Sequence, residues 1–316
     1  MPVKSRAKWV NILALGLACL GLAYLGKNYV APEILGRAGN SPNIVLISID
    51  TLRADYFTPE YLPETWKWVN EDCLYFTNAH ANSTWTTPSH LTMLTGLLPH
   101  EHQVELAVDL IPDDLEMVQH RLQRKGYETI AFTGGGFIGS EFGFSRGFSE
   151  WHENSSEDIG PFIAAKKYLS SLSDSRFDKP KFLFLHTYYI HKFDENSSRK
   201  YGEFHPDKYD KRVRDFDEKL IDMINCVLES SISDNLRMII TSDHGEGFGE
   251  IYDNLYDREF ISEYHGDWPC PSQVRIPLLI YDSQNTVKGS LDKLVGLDNL
   301  SPTIEVWAGI VDSHKR

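Results

Sequence analysis

An α/β fold, with a mostly parallel central sheet covered by helices on both faces and one transmembrane helix ahead of it, is predicted by three features of the sequence. Continuous apolar runs such as Asn43-Ile-Val-Leu-Ile-Ser-Ile49 read as strands buried on both faces. Amphipathic stretches of helical period separate these runs, the alternation that strand–helix–strand units produce. Before the first strand, an uncharged run over 9–26 follows Lys4, Arg6 and Lys8 and is closed by Lys27.

That first run approaches the roughly 20 apolar residues that cross a bilayer. Basic residues ahead of it favour a cytoplasmic N-terminus, with the body of the chain on the far side of the membrane. A cleaved signal peptide is the other reading. The run is long for a signal core and lacks a small-x-small cleavage site, which favours a single-pass anchor and an extracytoplasmic catalytic domain. Residues 27–42, with Pro32, Gly36, Gly39 and Pro42, read as a tether, leaving 43–316 as the folded domain.

Within that domain the first strand ends in Asp50-Thr-Leu-Arg53. A helix is expected over 59–70 and a strand over 73–76. Next comes Thr84-Trp-Thr86-Thr-Pro-Ser-His90, where Pro, Thr and Ser ahead of an apolar run mark a helix start. The pattern then predicts a helix over 113–125, a strand over 127–132 and a loop opened by Gly134-Gly135-Gly136. A helix over 160–172 and a strand over 181–186 follow, then a polar loop over 193–207. A long charged amphipathic helix over 209–230 precedes a buried strand over 236–241, which ends in Ser242-Asp243-His244-Gly245-Glu246. Residues 247–274 read as irregular, 275–282 as a strand and 298–309 as a last helix.

Composition narrows the function. With 316 residues and 41% of them hydrophobic, the chain can bury a large core. A formal net charge of −14 without a basic stripe excludes nucleic acid as a partner. The four cysteines, Cys19, Cys73, Cys226 and Cys270, form no CxxC pair and no zinc spacing, so they read as buried, inert thiols.

Chemistry collects where the strands end, because ligands of parallel α/β sheets bind beyond the carboxyl ends of the strands. Asp50 and Asp243-His244 each follow an apolar strand, and His186 and His191 straddle the end of another. Thr86 stands at a helix start, where free amides and the helix dipole attract an anion. Two carboxylates, an imidazole and a hydroxyl suit one divalent cation, which would also activate the Thr86 hydroxyl as a nucleophile. Each piece has a plainer reading, since Asp and Thr at such places are common helix caps.

The order of these motifs resembles the sulfatase family of the alkaline phosphatase superfamily, over about residues 43–310. The resemblance rests on the Asn43–Ile49 strand followed by Asp50-Thr-Leu-Arg53, on Thr86-Thr-Pro-Ser-His90 with Leu94-Thr-Gly96, on Asp243-His-Gly-Glu246, and on His265-Gly266. Two later stretches, Val274-Arg-Ile-Pro-Leu-Leu-Ile280 and Leu297-Asp-Asn-Leu-Ser-Pro-Thr303, are similar to the late strand and helix of that family. It implies a divalent ion (Mn, Mg, Ca or Zn) held by Asp50, Asp243 and His244, with Thr86 as a nucleophile bridging metal and ester. His191 and His265 would contact the ester oxygens or carry a second metal, and His102 would be structural.

Departures from the family pattern bear on the substrate. Sulfatases carry Cys or Ser, converted to formylglycine, where this chain has Thr86, and Thr cannot form that aldehyde. The family's Arg four residues later is His90, and its Lys-plus-His pair after Phe132 is replaced by Thr133 and three glycines. Tyr189 stands where relatives have an acidic ligand, so a complete second metal site would need Asp194. A Thr nucleophile resembles the membrane-anchored phosphotransferases of the superfamily. The implied function is a metal-dependent hydrolase or transferase acting on phosphate or sulfate esters of envelope or extracellular glycans or lipids. A sulfatase-fold binding protein without catalysis is the alternative.

Overall fold

The computed structural model describes residues 41–310 except 108, 154–158, 173–178, 195–203, 254–258, 263, 267 and 285–286. The expected anchor over 9–26 and most of the tether over 27–42 lie outside the described residues. Among the described residues, no helix is long and apolar enough to cross a membrane.

The main sheet has eight strands: β1 (Asn43–Ile49), β2 (Cys73–His80), β3 (Glu128–Thr133), β4 (Glu150–Glu153), β5 (Lys181–Thr187), β6 (Leu236–Ser242), β9 (Leu278–Asp282) and β10 (Gly289–Gly296). Between β6 and β9 in the chain, β7 (Glu250–Asp253) and β8 (Glu259–Ser262) form a separate antiparallel pair. Across the main sheet the order is β10-β2-β9-β6-β1-β5-β3-β4, and only β9 runs against its neighbours. The sheet is therefore mostly parallel, as expected.

Strand alternation divides the core between its two faces. Ile44 and Leu46 of β1 pack with Leu91, Met93 and Leu94 of the Thr86–Thr95 helix and with Ile304 and Trp307 of the Leu300–Trp307 helix. Val45, Ile47 and Ile49 face the opposite layer. That layer is built from the Pro63–Asp72, Gly160–Ser171 and Pro206–Glu229 helices, whose inward residues include Val69, Phe162, Phe216 and Leu220.

Several boundaries differ from expectation for identifiable reasons. The helix predicted over 59–70 begins at Pro63, because a proline in its second turn would clash with the preceding carbonyls. Only Val118–Arg124 of the predicted 113–125 is helical. Ahead of it, Leu115 N–H closes a turn on the Pro112 carbonyl, which also accepts from Arg146 Nη2 at 2.8 Å. The irregular 247–274 contains the β7–β8 pair and a short helix, Pro271–Val274. Polar edge strands β4 and β10 carry no apolar run to announce them, and β2 continues to His80 on partners supplied by β10.

Candidate functional site

Three strand ends and one helix start meet. Past β1 the chain turns sharply: Thr51 has φ 59, the left-handed region that a β-branched residue rarely enters. Tyr209 from the long helix fixes this turn, its hydroxyl donating to the Thr51 carbonyl at 2.7 Å and accepting from Arg53 N–H at 3.1 Å. Thr51 N–H in turn reaches Asp243 Oδ1 at 3.3 Å, an oxygen that also accepts from His244 N–H at 2.9 Å. Gly245 permits this crossing, since a Cβ there would sit 2.0 Å from the Ser272 carbonyl oxygen.

Thr86 is the first residue of its helix rather than a cap ahead of it. Trp85 takes the capping position with no side-chain bond, so the helix start is left open toward the site. The Thr86 hydroxyl lies 3.3 Å from Asp50 Oδ2 and 3.3 Å from His244 Nε2. His244 Nδ1 lies 2.8 Å from the Gly245 carbonyl, which can only accept, so the proton is on Nδ1 and Nε2 presents a lone pair. Burial, aided by the neighbouring His265, pushes His244 down to about 4, which keeps it neutral at pH 7.

The carboxylates have an unmet need. Asp50 Oδ1 and Asp243 Oδ2 are buried and carry no hydrogen bond. Burial and the adjacent Asp50 charge push the Asp243 carboxyl well above the usual carboxylate range. Burial also opposes the charge on Asp50, but contact with His186 and the fields of His191 and His244 outweigh it and hold that carboxyl low. A cation would satisfy both orphaned oxygens and the His244 lone pair together. Ligand atoms of Asp50, Asp243 and His244 lie within 4.8 Å of one another, so this donor set fits a divalent ion. A second group, His90, His186 and Asp243, meets the same spacing. It is the weaker candidate, because both His90 nitrogens already have partners, Thr86 O at 2.8 Å and Ser48 Oγ at 2.9 Å.

His265 and His191 approach from one side. The His265 ring lies 4.7 Å from that of His244 and 5.2 Å from that of His191. His265 Nδ1 is held 2.9 Å from Oε2 of the fully buried Glu246. Tyr189, where an acidic ligand was in question, stacks on Phe216 under Arg212 and contributes nothing to the site. The side chain of Asp194 lies outside the described residues.

Beside His191, whose ring lies 5.8 Å from that of Tyr188, two of the three glycines after β3 acquire a reason. A Cβ on Gly134 would fall 2.7 Å from the Tyr188 ring, and one on Gly136 3.1 Å from its hydroxyl. Tyr188 fills that space, donating to the Gly135 carbonyl at 3.0 Å and setting its ring 4.5 Å from that of His186. Cavities of about 470 Å³, beside Leu169 and Cys226, and about 370 Å³, beside Arg53 and Tyr75, lie away from this cluster.

All the expected site residues thus come together: Asp50, Thr86, Asp243 and His244 in contact, His265 and His191 alongside. Sequence reasoning gave no role to Ser48, Tyr188 or Glu246 and treated His90 only as a missing arginine. A signal existed for two of them, as Ser48 lies two residues before Asp50 and His90 lies one helical turn beyond Thr86.

Comparison with known proteins agrees with this architecture. Residues 42–310 match the profile of the sulfatase family. An uncharacterised protein of Haemophilus influenzae is 25% identical over 245 residues, which make up 77% of this chain and 36% of that protein. The chain thus spans about a third of that relative's length. Among solved structures, the phosphonate monoester hydrolase of Agrobacterium radiobacter superposes with a TM-score of 0.64 at 15% identity, over 85% of this chain and 74% of that one. The C-terminal periplasmic domain of phosphoethanolamine transferase EptC from Campylobacter jejuni gives 0.62 at 19% identity, over 87% of this chain and 92% of that one. At such identities these two likenesses speak for the fold alone, whereas the profile spans nearly every described residue, and the chain belongs to the sulfatase family.

Proposed function

We propose that this protein is a metal-dependent hydrolase or transferase that opens phosphate esters, in preference to sulfate esters, with Thr86 as the nucleophile. The observation that carries the reading is the Thr86 hydroxyl, at an uncapped helix start and 3.3 Å from both Asp50 Oδ2 and His244 Nε2. Asp50, Asp243, His244 and the Thr86 oxygen would hold the cation. When bound, a divalent ion (Mn, Mg, Ca or Zn) supplies Lewis acidity that lowers the proton affinity of the hydroxyl and offsets ester charge.

The chain's own residues do the rest. Thr86 Oγ1 bonds to phosphorus as the ester P–O bond breaks, and its proton is released to solvent. His265 hands a proton from Nε2 to the departing oxygen, while Glu246 holds its Nδ1–H. His191, beside it, helps orient the ester oxygens. Water or an acceptor alcohol then releases the phosphoryl group from Thr86. A direct hydroxyl nucleophile supports phosphorus over sulfur, since Thr cannot become the formylglycine that sulfate-ester cleavage uses. The substrate, a phosphate ester of an envelope or extracellular glycan or lipid, is proposed from the anchor pattern over 9–26 together with the fold likeness to a periplasmic transferase domain.

The test is acid quench of the metal-loaded protein with phosphomonoester, phosphodiester and sulfate ester substrates, then mass spectrometry of the peptide 84–100. A phosphothreonine at Thr86 is expected, and Thr86→Ala should abolish it and cut turnover by several orders of magnitude. Thr86→Ser should keep part of the activity. An adduct on Thr87 or Ser89 would overturn the nucleophile assignment. Metal binding without turnover of any ester would instead favour the non-catalytic binding protein.

A further inference from the structure

We propose that His90, braced by Ser48, is the positioning residue that sets the Thr86 hydroxyl in the site, an inference that rests on Thr86 being the attacking group. His90 is fully buried, with Nδ1 2.8 Å from the Thr86 carbonyl oxygen and Nε2 2.9 Å from Ser48 Oγ. A carbonyl only accepts, so Nδ1 carries the proton; Nε2 then accepts from the Ser48 hydroxyl. Both nitrogens are spent inside the protein. His90 therefore touches no substrate and cannot replace the family's arginine in contacting an ester.

What it does instead follows from where its partners sit. Ser48 lies near the end of β1, two residues before Asp50, which the strand delivers as the chain leaves it. His90 lies one turn beyond Thr86, so its ring reaches back to the carbonyl of the very residue whose hydroxyl faces Asp50. The two hydrogen bonds tie the strand that delivers Asp50 to the helical turn that delivers Thr86. Thr87 and Ser89 hold the same turn to the carbonyls of Phe137 at 2.7 Å and Ser83 at 3.3 Å, and the His90 bonds are the ones that join it to β1. Thr86 is β-branched, so with its backbone held its hydroxyl has few positions to choose from, and it takes the one that faces Asp50 and His244. The brace also passes 3.5 Å from Asp243 Oδ2 and sets the His90 ring edge-on to His186 at 4.8 Å, which leaves it no room to swing.

The experiment uses the full-length protein in detergent, loaded with Co²⁺, and reads the visible absorption band, the melting temperature and the rate of phosphothreonine formation. Ser48→Ala, His90→Ala and His90→Asn are compared with wild type and with Thr86→Ala. If the brace positions Thr86, Ser48→Ala and His90→Ala still take up one Co²⁺, but their band moves toward that of Thr86→Ala. Adduct formation then slows about 10- to 100-fold with KM unchanged, as misplacement of a reacting group does. His90→Asn, whose amide keeps a donor at the Nδ1 position, should recover part of the loss. Wild-type spectra and adduct rates in both Ser48→Ala and His90→Ala would overturn the proposal. So would a loss matched by a fall in melting temperature that His90→Asn does not rescue. Should His90→Ala not fold, Ser48→Ala and His90→Asn carry the same comparison. Failures elsewhere look different. Adduct without Co²⁺ uptake in wild type refutes the metal and leaves the rates to judge the brace, and Co²⁺ uptake without adduct refutes the nucleophile and leaves the spectra to judge it.

Discussion

His102 shows how a single buried imidazole makes this fold sensitive to acid. It ends the short Pro99–His102 helix, accepts Val104 N–H on Nδ1 at 3.2 Å and faces Thr92 Oγ1 with Nε2 at 3.2 Å. An accepting Nδ1 places the proton on Nε2 and leaves the ring neutral. Burial pushes it from 6.5 down to about 4, outweighing the Pro88 carbonyl and the Glu101 charge, which pull the other way. Between those values the unfolded chain binds a proton that the folded chain does not, so stability rises with pH across that window. His102 is thus expected to contribute fully above pH 6.5 and to lose its contribution as the pH falls toward 4. Urea unfolding at pH 7 and pH 5 checks this: His102→Gln, each protein referred to its own pH 7 value, should lose less stability than wild type. An equal loss would mean that His102 does not govern the acid response.

At the scale of elements, side chains from distant segments stand in for local capping. The Pro63–Asp72 helix has Leu62 at its capping position, which offers no acceptor. Asp217, on the Pro206–Glu229 helix and nearly fully buried, supplies both carboxylate oxygens, accepting Glu64 N–H and Thr65 N–H at 2.9 Å each. These are the donors a local cap would satisfy, and a carboxylate there also suits the helix dipole. Asp217→Ala should destabilise the protein by about 1–2 kcal/mol, and Asp217→Asn by less, since an amide oxygen still accepts one bond. Denaturant midpoints of the two variants measure it, and equal losses would show that packing rather than capping is at stake. Arg53 works in a similar way between loops. It grips Asp55 through two hydrogen bonds, at 2.9 and 2.8 Å, and reaches the Glu246 carbonyl at 3.0 Å, so it links the turns that carry Asp50 and Asp243.

For the molecule as a whole, the stretch ahead of the folded domain bears on where the site works. The uncharged run over 9–26, with basic residues ahead of it, is proposed to anchor the chain with its catalytic domain outside the cytoplasm. Alkaline carbonate should then leave the full-length protein with the membranes, and a C-terminal reporter that is active only in the cytoplasm should stay silent. Release as a shortened chain would show a cleaved signal peptide, and an active reporter would reverse the topology.

The sequence by itself determined the layers and the residues that gather at the candidate site, because both are written locally. Runs such as 43–49 and 236–241 have the length and flanks of buried strands, and Asp50, Thr86, Asp243 and His244 each sit beside an element boundary that such patterns mark. What it left out carries little local pattern. β10 and β4 are polar edge strands that exist because a neighbour supplies their hydrogen bonds, and the helix expected from 113 yields its first turn to Arg146. Tertiary structure alone decided the contacts of Ser48, His90, Tyr188 and Glu246. Their partners lie 42 residues away for Ser48 with His90, 53 for Tyr188 with Gly135 and 19 for Glu246 with His265. Periodicity reports which face a side chain takes, but a hydrogen bond between segments depends on how the folded sheet brings those faces together.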